Sequence, residues 1–404
     1  MTDAQGLYKT LAYKKQSGLG SAASGSGGQL LRRETATFNA TKDSYSANEI
    51  TSHQMHTGDK HGISTVGGSL SGLLSNATYT TLLASLLRKD LAAVSAISGL
   101  TLTIAASGGG YTVTRSAGDF LTGGIKIGHV VRLTGASLDA ANVGKNLVVI
   151  GVTSTVLTVL VLNGSTMTAE SGKTSTTVTV TGKVTYTPTS GHTNDYYTFE
   201  EWYDDVDRSH LYTDVQVGQA DIAFPATGNA TLGMTFMGLG ETKSGSQVLT
   251  TPTAETSTEV LAAVNGIVLI GGTKQLAVTG LNLTVTGNMA NGEAVLGSNS
   301  ISDIVKGKVA VTGSFTAIFQ NDTLAGYFDN ETATDIIIVA AENDDADAEF
   351  VSIRLPRVKL FSADKDDGMK QIVKTYNLVA EYNGAGGSAL ADHATIIQVQ
   401  DSAS

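Results

Sequence analysis

The chain lacks several residue types and patterns that would point to particular functions. It contains no cysteine among its 404 residues, which excludes a disulfide framework, a thiolate metal site and a cysteine nucleophile. No stretch approaches eighteen consecutive apolar residues, and the first ten residues lack a basic start followed by an apolar run. The sequence therefore predicts a soluble, unexported protein.

Charge is also scarce, and it is unbalanced. Charged residues make up 16% of the chain and the net charge is −11. A nucleic-acid backbone is bound by lysine and arginine, so the acidic excess argues against such binding, although it allows DNA to pass nearby. A polar but weakly charged surface, with 46 glycines and 4 prolines, favours a protein that buries its exterior against copies of itself.

One strand-rich pattern occurs twice. Residues 66–74 align with residues 311–319 position for position, at an offset of 245 (311 minus 66). Residues 38–41 align with residues 283–286 at the same offset. Residues 213–223 fall on residues 351–361 at an offset of 138 (351 minus 213). The sequence predicts a duplicated unit whose first copy carries an insertion of 107 residues (245 minus 138).

The inserted segment is rich in β-branched residues, serine, threonine and glycine. Short apolar runs such as Leu147–Ile150 and Val156–Leu162 are separated by turn residues. At least five such runs predict a small β-barrel or β-sandwich, and its two ends must lie close together because it interrupts a folded unit. Each copy of the main unit also contains a short helical pattern, after residue 78 and after residue 323.

The matched segments beginning at residues 213 and 351 both change the parity of their apolar residues. In the first segment, apolar residues occupy alternate positions through Val215 and Val217, and the alternation then shifts by one residue. In the second segment, the same shift follows Leu355. The offset of 138 places Gly218 and Pro356 at the same point. Because both residues tolerate a bulge, this pattern predicts a bend in a long, curved sheet.

Catalytic and metal-binding patterns are weak throughout the chain. Gly172-Lys173-Thr174 lacks the earlier glycine that a phosphate-binding loop requires. His53, His56 and His61 show no helical spacing and favour a polar loop over a metal site. The sequence predicts no catalytic residue, no metal and no cofactor.

Several short motifs, in a specific order, resemble the major tail tube proteins of long-tailed, non-contractile bacteriophages. They lie in the N-terminal arm at residues 13–20, in residues 42–50, in residues 66–72 before a leucine-rich helix, and in the ending at residues 397–402. Residues 128–135 resemble an insert found in that family. The resemblance covers nearly the whole chain.

The resemblance implies a structural virion protein that polymerises into stacked rings around a channel for DNA ejection. It implies assembly in the cytoplasm of the bacterial host and contacts with the tape measure, tail terminator and tail tip proteins. Double-stranded DNA would cross the lumen without specific binding, and no membrane is involved. With four main strands in each copy, we expect eight strands per chain and a trimeric, pseudo-sixfold ring.

The predicted fold is mainly β, with two tandem β-sandwich or half-barrel units, a short helix in each, and an inserted β-domain. The predicted segments are an extended N-terminal arm (1–34), a discontinuous first unit (35–93 and 190–250), an inserted outer β-domain (94–189), a linker with the second unit (251–390) and a C-terminal tail (391–404). We expect the arm to become ordered only against a neighbouring ring. Candidates for inner-barrel strand positions are Gly68, Leu70, Val215, Val217, Gly218, Gly313, Phe315, Ile353, Leu355 and Pro356.

Other interpretations are a cell-surface adhesin or surface-layer protein, a head decoration protein, and a tail-borne glycan hydrolase. An adhesin predicts an export signal and separable domains, neither of which the pattern shows. A hydrolase needs a pair of carboxylates in a cleft, whereas the acidic runs here fall in predicted loops.

Overall fold

A computed structural model describes residues 3–362, 364–365 and 371–404, and it is mainly β, as predicted. The first part of the chain forms four strands and a helix: β1 (Lys9–Lys15), β2 (Gln29–Leu30), β3 (Thr35–Ser46), β4 (Asp59–Leu73) and α1 (Thr80–Leu87). Six strands then form a closed barrel: β5 (Ile97–Ser107), β6 (Gly110–Arg115), β7 (Val130–Thr134), β8 (Leu147–Val152), β9 (Val156–Val161) and β10 (Glu170–Val180).

After the barrel, the chain continues with β11 (Lys183–Tyr186), β12 (Tyr197–Tyr203), β13 (Arg208–Pro225), β14 (Thr231–Gly238) and β15 (Gly240–Ser244). The last part contains β16 (Ala262–Ile270), β17 (Thr273–Lys274), β18 (Val278–Thr286), β19 (Ala290–Asn291), β20 (Ile304–Val305), β21 (Ala310–Ile318), α2 (Thr323–Asp329), β22 (Thr334–Ala341), β23 (Phe350–Leu360), β24 (Asp364–Lys365), β25 (Val373–Ala380) and β26 (Gln398–Asp401).

Eight long strands form one continuous antiparallel sheet, which we call the main sheet. Its order is β3–β4–β14–β13–β18–β21–β25–β23. The first four strands come from residues 35–238, which we call the N-terminal half, and the last four from residues 278–380, which we call the C-terminal half. Alternating residues make this arrangement possible, because in β3 Ala36 and Phe38 are buried while Thr35, Thr37 and Asn39 are exposed.

A second layer covers one face of the main sheet. It contains β12, which pairs with β1, and β22, which pairs with β16. Helix α1 packs its leucines into the same core and ends at Arg88, which has a left-handed φ of 63°. One hydrophobic core therefore runs between the two layers and across both halves of the chain.

The barrel packs on the outer side of the second layer. Val130, Val148 and Leu162 of the barrel are buried against Ile337 and Phe350. The neighbouring residues of β22, Ile336 and Ile338, point instead into the core beneath the main sheet. Along this direction the order of layers is main sheet, core, second layer, barrel.

The N-terminal arm differs from its expected state. We expected it to need a neighbouring subunit, but β1 pairs with β12 of the same chain from Lys9 to Lys15. The glycine-rich loop is held as well, because Gly20 N donates to Asp214 Oδ1 at 2.7 Å and Gly25 N donates to the carbonyl of Val248 at 2.9 Å. The apolar side chains of Leu11 and Leu31 explain the difference, since both are buried in the core.

Two other segments also belong to the body of the molecule. The C-terminal tail contributes β26, which pairs with β23 and β11. The sequence predicts β11 as part of the insert, but this strand pairs with β26 in the second layer. The ends of the barrel segment do lie close together, since Ala92 and Val184 exchange backbone hydrogen bonds at 2.9 and 3.0 Å.

Candidate assembly surface

The main sheet has one apolar face and one polar face. Its apolar face contributes residues such as Phe38, Leu70, Ile222, Leu283 and Phe315 to the core. The opposite face carries mainly threonine, serine, asparagine and glycine. Residues on this polar face include Thr37, Asn39, Ser69, Thr235, Asp221, Asn282, Thr284, Thr312, Ser314, Thr375 and Asn377.

Short hydrogen bonds join neighbouring strands across the polar face. The hydroxyls of Thr37 and Ser69 lie 2.9 Å apart, and those of Thr279 and Thr316 lie 2.8 Å apart. Such cross-strand pairs stabilise a sheet and fix its register. They also leave a face that offers hydroxyl and amide groups rather than a row of cationic side chains.

The junction between the two halves is an ordinary sheet contact. Strand β13 pairs with β18 from Gln219 opposite Thr286 to Pro225 opposite Gly280. Thr284 Oγ1 donates to Asp221 Oδ1 at 2.7 Å across this junction. The two four-stranded groups therefore form one continuous sheet, in which β13 and β18 are hydrogen-bonded neighbours.

The two outer edges of the main sheet are not covered. In the part of the chain that the structure describes, β3 pairs with β4 along one edge and with no strand along the other. At the opposite end, Val358, Lys359 and Leu360 pair with β25 along one edge, and only Val358 has a partner, Thr334, on the other. Exposed strand edges are templates for pairing with another chain.

The predicted inner-barrel positions lie in the main sheet and in the adjoining strand segments. Most have buried side chains on the core side rather than on a free surface. Core positions are Leu70, Val215, Val217, Phe315, Ile353 and Leu355. The signal that could have identified the polar face was the complementary set of threonines and asparagines at the alternate positions.

Two glycines among the candidates allow close packing. A Cβ atom on Gly68 would lie 2.4 Å from the ring of Phe38, and one on Gly313 would lie 2.2 Å from the carbonyl oxygen of Asn282. Both distances are shorter than any normal contact. Glycine is therefore needed here because a ring or a backbone carbonyl occupies the space of a side chain.

The predicted match between Gly218 and Pro356 is wrong. Phe199 pairs with Tyr212 and Ile336 pairs with Leu355, each next to a bulge, and all four side chains face the core, so the hairpin offset is 137 in its first strand (336 minus 199) and 143 in its second (355 minus 212). The turn between β22 and β23 is four residues longer than the turn between β12 and β13.

Bulges occur at both residues, but in different pairings. The bulge at Gly218 disturbs the pairing of β13 with β14, and the one at Pro356 disturbs the pairing of β23 with β22. Pro356 and Arg357 thus correspond to Thr213 and Asp214, which form the bulge between β13 and β12. Burial raises the pKa of Asp214, although the hydrogen bond from Gly20 N opposes that rise.

Metal-ligating side chains do not cluster in the described ranges. Residues 3–362, 364–365 and 371–404 contain no cluster of three or more histidine, aspartate or glutamate residues that could hold a metal ion. Within the same ranges, no helix combines the length and the apolar character needed to cross a bilayer. His53, His56 and His61 lie in or beside the exposed turn between β3 and β4.

Comparison with known proteins identifies the family. No curated protein matches the chain. The profile of the phage tail tube proteins matches residues 7–383, which includes both halves of the main sheet, the barrel and the second layer. The chain therefore belongs to the phage tail tube protein family.

Proposed function

We propose that three copies of this tail tube protein close one ring of the tube, and that stacked rings form the channel through which viral DNA is ejected. The observation that carries the proposal is the junction of β13 with β18. Each half of the chain contributes four strands to the main sheet, and the halves already join as neighbouring ring units would.

Matching strand registers support a duplication. Phe38 pairs with Gly68 in the N-terminal half, and Leu283 pairs with Gly313 in the C-terminal half, both displaced by 245 positions. Leu73 pairs with Thr231, and at the corresponding place Ile318 pairs with Val373. Two units per chain then make a trimer equivalent to a ring of six single units.

The dimensions of such a ring suit duplex DNA. Three chains with eight strands each give a barrel of twenty-four strands. With neighbouring strands about 4.8 Å apart and tilted by about 40°, its backbone diameter is roughly 48 Å. Closure would also remove the two exposed edges of the main sheet.

The polar face of the main sheet suits the wall of this channel. Its hydroxyl and amide groups can exchange hydrogen bonds with water, and the net charge of −11 opposes binding of the phosphate backbone. The ten inner-barrel candidates then act from behind the wall, by holding the curved sheet on its core. The barrel of β5 to β10 would decorate the outside of the tube.

The wider setting is also a proposal. In a non-contractile, long-tailed phage the tube would contact the tape measure, terminator and tip proteins, and it would assemble in the cytoplasm of the bacterial host. Cofactors and enzymatic activity have no part in this function.

Symmetry of the purified assembly tests the proposal. Rings or tubes should show threefold symmetry in averaged electron micrographs, with the barrel projecting outward. Native mass spectrometry of single rings should give three times the chain mass. Rings of six chains, or barrels that line the lumen, would overturn the proposal.

A further inference from the structure

Two exposed apolar patches lie at opposite ends of the main sheet. The first, which we call the hairpin patch, is at the tip of the hairpin between β3 and β4 and contains Tyr45, Ile50 and Met55, with 55%, 104% and 66% of their surface exposed. The second, which we call the edge patch, contains Phe361, Val379 and Tyr382, which are 58%, 36% and 57% exposed. Both patches need a partner.

Within the chain, an equivalent pair of apolar surfaces already cover each other. The segment between β18 and β21 corresponds in sequence position to the β3–β4 hairpin, and it folds back over the N-terminal half. There Ile301 and Ile304 bury with Leu239, while Met237 packs at the side of this cluster. Ser64 N donates to the carbonyl of Asn299 at 2.8 Å and fixes the segment on β4.

The edge patch occupies the equivalent place in the C-terminal half. Met237 pairs with Gly67, and Val379 pairs with Thr312, which lies 245 positions after Gly67. Val379 is thus the counterpart of Met237. It lacks the cover that Met237 receives, because the segment that follows β25 leads to β26, which pairs with β11 and β23 in the second layer.

We propose that neighbouring copies join by repeating the junction found within the chain. The hairpin patch of one copy covers the edge patch of the next, and the free edge of β3 pairs with β24 of that copy. This rests on the proposed ring function. The occupant of both patches is a second copy of this chain, because the internal junction supplies the template for each contact.

The internal junction also defines the register. Asp221 pairs with Gly233, and Asp364 pairs with Thr375, which lies 142 positions after Gly233. Since β14 and β25 share that offset, Asp364 is the counterpart of Asp221, and Asn39 is the counterpart of Thr284. Asn39 therefore faces Asp364 of the neighbouring copy, where its amide donates to the carboxylate as the Thr284 hydroxyl donates to Asp221.

Disulfide cross-linking tests this register cleanly, because the chain has no cysteine of its own. The variant Asn39→Cys with Asp364→Cys should give covalent trimers on oxidation of assembled rings. Asn39→Cys with Lys359→Cys is the matched control, since an offset of 138 would place Lys359 opposite Asn39. Asp221→Cys with Thr284→Cys should form a disulfide within the chain and leave its mass on a non-reducing gel unchanged.

Substitutions in the patches provide an independent readout. Ile50→Asp or Val379→Asp should reduce ring formation at least tenfold, while the melting temperature of the free subunit stays within about 2 °C because both side chains are exposed there. Val143→Asp, on the barrel, is the control and should assemble normally.

The outcomes separate the two proposals. Cross-linking at Lys359 in preference to Asp364, or normal assembly of the Ile50 and Val379 variants, overturns the proposed contact even when rings remain threefold. Threefold rings in which Asn39→Cys with Asp364→Cys stays uncross-linked also overturn it. Rings of six chains overturn the proposed function itself.

Discussion

Removing the barrel should destabilise the body that remains. The perturbation is deletion of residues 94–182, with an Asn-Gly turn joining Ala93 to Lys183. This choice keeps β11, which pairs with β26, and it uses the close approach of Ala92 and Val184. A two-residue turn of this kind suits two antiparallel chain segments.

The magnitude follows from the apolar side chains that the barrel covers. Five body residues would lose their cover: Ile267, Leu269, Ile337, Val339 and Phe350. Full burial of such a side chain stabilises a protein by about 1.5–3 kcal/mol, and the barrel covers one side of each, so we expect a loss of about 5 kcal/mol. At an unfolding entropy of about 2.1 cal/mol/K per residue, that loss lowers the melting temperature of a chain of this size by about 6–8 °C.

Thermal unfolding and binding of an apolar dye measure the effect. The deletion variant should melt earlier and bind more dye than the intact subunit. A second variant that also carries Ile337→Thr and Val339→Thr should bind less dye without recovering the lost stability. A melting temperature within 3 °C of the intact protein, with unchanged dye binding, would refute the reasoning.

Three other changes test particular contacts. Glu200→Ala should cost about 3–5 kcal/mol in urea unfolding, because the buried carboxylate accepts hydrogen bonds from Ser209 Oγ and from two backbone N–H groups. Gly68→Ala should cost about 1–3 kcal/mol, whereas Gly67→Ala, which has open space, should change stability by less than 0.5 kcal/mol. Acid should destabilise the protein through His393, whose pKa burial and then nearby cations lower to about 3. Because the unfolded chain takes up this proton near pH 6.5 and the folded chain does not, His393 should lower stability by about 2 kcal/mol between pH 7 and pH 5. A His393→Phe variant should lose that share in thermal melts and keep the share of His129, whose pKa burial also lowers.

Strand positions were largely predictable from local pattern. Alternation of apolar and polar residues predicted β3, β13 and β18 to within a few residues, because β3 and β18 bury one face and β13 does so over its last residues. Strand β6 was missed, although Tyr111 to Thr114 alternates in the same way. The tube family was recognisable from the order of short motifs.

The match between the two halves shows the limit of that pattern. Each segment breaks its alternation more than once, so the sequence aligned the break at Gly218 with the break at Pro356, whereas the paired strands align at an offset of 143. The turn between β22 and β23 is longer than the turn between β12 and β13, so the two strands of the hairpin take different offsets, 137 and 143. The long-range partners of Gly218 and Pro356 were therefore visible only after folding.

The sequence by itself determined the mainly β character, the position of the inserted β-rich segment and the absence of thiol chemistry. These depend on residue type and on spacing along one strand, which the chain carries locally. Only the tertiary structure decided that the N-terminal arm docks on β12, that β26 completes the second layer and that the main sheet turns its threonines away from the core. Each of these depends on which distant surfaces bury apolar area together, and no local period encodes that choice.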